Sequence, residues 1–141
     1  MFKKIVVAID GSDISLKALE VALSEARIWN AELHVIYVVE TSMFSSIPMD
    51  NTWEIIYSLL ESEGKEVFQK SKERAAQDGV SLITHLKDGH AGNEIVSLTE
   101  ELHADLIVIG SRGKTNIDRL LLGSVSEHVV RNSSCTTMVV R

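Results

Sequence analysis

The 141-residue chain holds one cysteine, one proline and no apolar run long enough to matter to a membrane. Cys135 has no partner for an internal disulfide, and no Cys/His spacing suits a structural zinc. Runs such as IVVAI and LIVIG extend over only five or six residues, too short to cross a bilayer, so no membrane insertion is expected. Positive charge is also scarce. Fourteen Lys and Arg face twenty Asp and Glu, a formal net charge of −6, which argues against a nucleic-acid-binding face. Two lysines precede the first apolar run, but that run ends in Asp10, so a signal peptide is not expected and the cytoplasm is the expected home.

What is present fits a single globular domain over 1–141, with 45% hydrophobic and 24% charged residues. Short apolar runs recur at 4–9, 32–39, 81–86, 105–110 and 136–141, most of them continuous and rich in Val and Ile. Strands covered on both faces read this way, as in parallel sheets. Helical segments lie between them at 13–29, 51–77, 93–103 and 125–132, the first with Leu16, Leu19, Leu23 and Ala26 at helical spacing. The alternation predicts an α/β fold, an open parallel sheet with right-handed crossovers. Residues 40–51, ETSMFSSIPMDN, hold the sole proline, Pro48, in a long connection. Their apolar residues are expected to pack on the following helix, the alternative being a lid or partner contact.

Ligands of open parallel sheets bind at the carboxyl ends of the strands. The strand-to-helix junctions are Asp10-Gly11-Ser12, Val38 to Thr41, Asp88-Gly89-His90 and Gly110 to Ser124. The last includes Gly113-Lys114-Thr115, the ending of a phosphate-binding P-loop. The glycine that should open that motif falls on Val108, inside a strand, so a P-loop is not supported. A different spacing stands out: Gly110 and Gly113, then Gly123-Ser124 directly before a helix. Glycines allow close backbone approach, and a phosphate could rest on the helix start with Ser124, helped by Lys114 or Arg112. The competing reading is a capping box, because Ser124-Val125-Ser126-Glu127 matches S-x-x-E. Spacing alone leaves the two balanced.

Gly110-x2-Gly113-x9-Gly123-Ser124 resembles the G-2x-G-9x-G-(S/T) signature of the ATP-binding universal stress proteins. KKIVVAIDGSDISLKAL resembles the family's first strand and helix, LHVIYVVE its second strand, and HADLIVIGSRGKTNIDRLLLGSVSEHVV its fourth strand, loop and helix. The resemblance implies strand order 3-2-1-4-5, a Rossmann-like fold, and a homodimer through the edge strand at 136–141. It implies ATP, ADP or AMP as ligand, with Mg or Mn held through the phosphates. It assigns Asp10, Ala8, Val38 and Ile109 to the nucleoside, and Gly110, Gly113, Gly123, Ser124 and Val125 to ribose and phosphates. The prolines common in the family near Ala8, Ala91 and Thr136 are missing here, which implies small changes of shape.

The five histidines at 34, 85, 90, 103 and 128 form no metal motif, and no G-x-S-x-G elbow supports a serine hydrolase. His34 and His85 are expected as packing residues inside strands, and Cys135 as a small packing residue. The expected function is an ATP-binding regulatory or stress-response protein with an unidentified protein partner. The alternatives are a slow ATPase or adenylate-transferring enzyme using the same pocket, and a nucleotide-free dimeric interaction protein.

Overall fold

The computed structural model describes residues 1–42, 44–46, 51–112 and 122–141. Its elements run β1 (Lys4–Ala8), α1 (Asp13–Trp29), β2 (Glu32–Glu40), a short 3-10 turn (Phe44–Ser46), α2 (Asn51–Gln77), β3 (Leu82–Gly89), α3 (Ala91–Leu102), β4 (Leu106–Gly110), α4 (Ser124–Asn132) and β5 (Thr136–Val140). All neighbouring strands are parallel, in the order β3-β2-β1-β4-β5. This is the expected open sheet. Val7 pairs with Val35 on one side and Val108 on the other, which places β1 at the centre.

The unbroken apolar strands follow from covering both faces. Ile5, Val7, Leu33, Val35, Leu106 and Val108 face α1 and α2, meeting Leu19, Leu23 and Phe68. Their sequence neighbours Val6, Ile36, Ile107 and Ile109 face α3 and α4, meeting Ile95, Leu98 and Val129. A polar residue at a fully buried β1 position would therefore be desolvated against one helix layer or the other, whichever way it pointed.

Three details differ from the sequence expectation. Leu16 is 43% exposed, and the buried stripe of α1 is Ser15, Ala18, Leu19, Ala22, Leu23 and Ala26. This stripe keeps the 3.6-residue period, but it is rotated so that Ser15 faces inward. The Ser15 hydroxyl bonds the Ser12 carbonyl at 2.9 Å and accepts from the Asp10 amide at 3.3 Å. Next, β3 runs three residues beyond the apolar run, because Lys87, Asp88 and Gly89 continue the ladder along β2 to Glu40. Edge strands tolerate such residues, since one side of the strand is open to water. Finally, α3 begins at Ala91 rather than 93. Two side chains satisfy its first amides: Glu40 Oε2 accepts from Ala91 N at 2.8 Å, and His90 Nδ1 accepts from Asn93 N at 3.3 Å.

Candidate nucleotide site

The carboxyl ends of β1, β2 and β4 open into a cleft of about 770 Å³. Ala8, Asp10, Val38, Ile109, Gly110, Gly123, Ser124 and Val125 all line it. The chain brings these residues together from three separate strand ends, β1, β2 and β4, the last with the helix start that follows it. Gly113 and Lys114 lie outside the described residues, as do Met43 and the stretch 47–50 of the long connection.

At the β1 end, Gly11 turns the chain with φ +86°, a conformation that disfavours side chains. The turn lets the Asp10 carboxylate reach forward: its Oδ1 accepts from Ser12 N at 2.9 Å and from Ser12 Oγ at 2.5 Å. Ser12 also caps α1 by accepting from Ser15 N at 3.3 Å. Asp10 is thus held in one orientation at the cleft wall.

At the β4 end, the two halves of the glycine motif are tied by backbone. Gly123 N donates to Ser111 O at 2.7 Å, and Ser111 N donates to Val140 O at 2.7 Å. A Cβ on Gly123 would lie 3.3 Å from Arg112 Cα and 3.3 Å from Ser111 O, closer than ordinary contact. A side chain at Gly123 would therefore press on this backbone by a few tenths of an ångström, whatever the ligand does. Gly110 is similarly crowded, with Ile14 Cγ2 at 3.1 Å from its virtual Cβ.

The helix start corrects the capping-box reading. Gly123 is the N-cap residue, Ser124 is the first helical residue, and α4 has no side-chain cap. Ser124 is exposed and lines the cleft. The structural hydroxyl belongs instead to buried Ser126, which donates to Ser111 O at 2.9 Å and Gly123 O at 3.0 Å. Sequence reasoning missed this residue. Its signal was the serine two places after Ser124, on the face that meets β4 once the helix starts at 124.

Three helices with described N-caps border the cleft, and they differ. The start of α1 carries Ser12 and the Asp10 carboxylate. The start of α3 carries His90 and the Glu40 carboxylate, whose other oxygen accepts from the Ser42 hydroxyl. Among the described N-caps, only that of α4 makes no side-chain hydrogen bond, although Glu127 stands in its first turn. An anion is therefore favoured at α4 and disfavoured at the other two. The walls between are apolar: Ala8, Val38, Ile95 and Ile109 on one side, Phe44, Ile56 and Leu60 on the other. Phe44 also packs edge-on against Trp53, with ring centroids 5.1 Å apart. The sequence did not single out Glu40, Ile56 or Leu60 for the cleft. An apolar slot ending in a helix start suits a flat heterocycle carrying a phosphate.

Comparison with known proteins bears on the family and the fold. The profile described as the universal stress protein family matches residues 1–141. The chain belongs to this family. A universal stress protein of Methanocaldococcus jannaschii is 45% identical over 141 residues, covering 100% of this chain and 83% of the relative. Among solved structures, the universal stress protein UspA from Lactobacillus plantarum superposes with a TM-score of 0.91 at 25% identity, covering 99% of this chain and 97% of that one. A universal stress protein solved in complex with cAMP superposes with a TM-score of 0.76 at 28% identity, covering 99% and 97%. The family fold is thus the fold described above. Among the described residues no group of three or more His, Cys, Asp or Glu side chains could hold a metal ion. No helix among them is long and apolar enough to cross a membrane.

Proposed function

We propose that this universal stress protein binds an adenine nucleotide in the cleft, with ATP, ADP or AMP as ligand, and acts as a homodimeric regulator in the cytoplasm, its output passing to a protein partner. The observation that carries this reading is the uncapped start of α4 at the end of an apolar slot. Family membership and the cAMP complex of a relative support it. In this pose the base lies between Ala8, Val38 and Ile109, and Asp10 accepts from the nucleoside. Gly123, Ser124 and Val125 offer the phosphates their backbone amides. A divalent cation would be held by the phosphates rather than by a set of protein ligands, and it would neutralise part of their charge.

The reading is non-enzymatic. Hydrolysis needs a group that orients an attacking water. Asp10, the one carboxylate of the β1 junction, is turned onto Ser12 and assigned to the nucleoside. Turnover of ATP with magnesium is expected to be slow at most. Turnover at the rate of ordinary ATPases, lost in Asp10→Ala, would establish the enzyme alternative. Binding is tested by calorimetry with AMP and ATP on the intact protein and on Ser124→Ala. The expected result is binding that Ser124→Ala weakens without lowering thermal stability. Equal affinity in the two proteins would remove the Ser124 hydroxyl from phosphate binding and leave only its backbone amide there.

A further inference from the structure

His90 is exposed at the turn between β3 and α3, and no role in ligand binding follows from the glycine motif. The residue nevertheless lines the cleft. Because Nδ1 accepts from Asn93 N, the proton of the neutral ring sits on Nε2. The ring therefore offers a donor on its outer edge while its inner edge serves the helix.

The position of that donor follows from α4. His128 packs directly on Gly92, where a Cβ would meet the His128 ring at 2.6 Å. The His90 and His128 rings lie 5.2 Å apart, edge to face. His128 is four residues after Ser124, about one turn or 6 Å of rise along α4. Side chains in helices lean back over the preceding turn, so the His128 side chain lies towards the Ser124 end of α4, and its ring contact brings His90 to that side. Glu40 already occupies the Ala91 amide, which leaves the imidazole to make the favourable contact of this corner with an anion.

We propose that His90 is a ligand-contacting residue, donating from Nε2–H to a phosphoryl oxygen of a nucleotide seated on the start of α4. This rests on the nucleotide reading above. It makes α3 a contributor to phosphate recognition and gives the cleft a preference for phosphorylated over unphosphorylated nucleosides.

The test uses His90→Asn, because asparagine is a good N-cap and keeps an acceptor for the α3 amides while removing the Nε2–H donor. Calorimetry is run with AMP and with adenosine on both proteins. A lost hydrogen bond to a charged oxygen is expected to weaken AMP by about tenfold and to leave adenosine unchanged. Adenosine thus reports that the variant is folded and its nucleoside site intact. Unchanged AMP affinity, or an equal loss for AMP and adenosine, overturns the assignment of His90. If the unsubstituted protein binds neither compound, the nucleotide reading itself falls, and the role of His90 with it.

Discussion

A hydroxyl near a helix start can satisfy the helix's own amides or leave them for a ligand. Here the two jobs fall to different serines. Ser126 is buried and ties α4 to the end of β4 through two carbonyls, whereas Ser124 caps nothing. Ser126→Ala is therefore expected to lower stability by about 1–2 kcal/mol. Ser124→Ala is expected to stay within about 0.5 kcal/mol of the unsubstituted protein. Urea denaturation of the two variants distinguishes them, and a larger loss for Ser124→Ala would restore the capping role. Gly123→Val is a poor probe of the ligand by comparison, because its side chain would press on the Ser111-Arg112 backbone before any phosphate arrived. The close backbone approach at Gly110 and Gly123 was legible from spacing, since glycine positions report such approach directly. The division between the serines was not, because it depends on which residue begins the helix. A shift of one residue turns a side chain by about 100°.

The elements were legible for a similar reason. Strands covered on both faces are apolar without interruption, and β1 and β4 announce themselves. The far end of β3 did not, because an edge strand carries Lys87 and Asp88 without penalty. Nor did the histidines of β2 and β3, which do more than fill space. His34 is buried, with Nε2 2.5 Å from Glu32 Oε1 and Nδ1 2.8 Å from His85 Nε2. The His34 and His85 rings stack at 5.1 Å. Only one proton can lie between the two facing nitrogens, so protonating both rings fully breaks their bond. Burial first, then His34 and Lys87, hold His85 below its ordinary value of 6.5, against an opposing pull from Glu101. The folded state thus prefers the neutral ring, and the unfolded chain takes up the proton more readily. This contribution to stability is complete above pH 6.5 and is lost as pH falls through the lower folded-state value. Urea midpoints are expected to decline between pH 7.5 and 5.5, and the decline to flatten in His85→Gln. A variant with the same pH slope as the unsubstituted protein would show that other groups set it.

The packing of α2 gives a second check at this scale. Gly64 faces β2, and a Cβ there would meet the Tyr37 ring at 2.7 Å. Alanine is the better helix former by about 1 kcal/mol, yet the buried Tyr37 ring is held by Phe68 and cannot move away freely. Overpacking is expected to win, so Gly64→Ala should destabilise by about 1–3 kcal/mol in thermal or urea melts. A stabilised variant would mean that the Tyr37 layer yields.

At the scale of the molecule, the sheet has two edges of different character. β3 is edged with Thr84, His85, Lys87 and Asp88, side chains that discourage another strand from joining. β5 is not protected in this way. Thr136–Val140 carries no charge, and its last four residues remain half-exposed although Met138, Val139 and Val140 pack on the two core layers. Unpaired backbone groups beside apolar side chains favour a second copy pairing along the same strand about a two-fold axis. The homodimer is therefore expected at β5, on the opposite side of the sheet from β3. Sedimentation should give a species of twice 15.6 kDa. Thr137→Glu, which would set like charges near each other across the axis, should shift it towards the monomer. A single 15.6 kDa species at micromolar concentration would exclude a stable dimer. A dimer that survives Thr137→Glu would move the interface elsewhere. Because the Ser111 amide bonds the Val140 carbonyl, the end of β5 also braces the turn that carries Arg112 to the cleft. Pairing at β5 should thus steady one wall of the nucleotide site, and AMP affinity in Thr137→Glu is expected to fall as the dimer dissociates. If affinity stays constant through that dissociation, the two sites are independent.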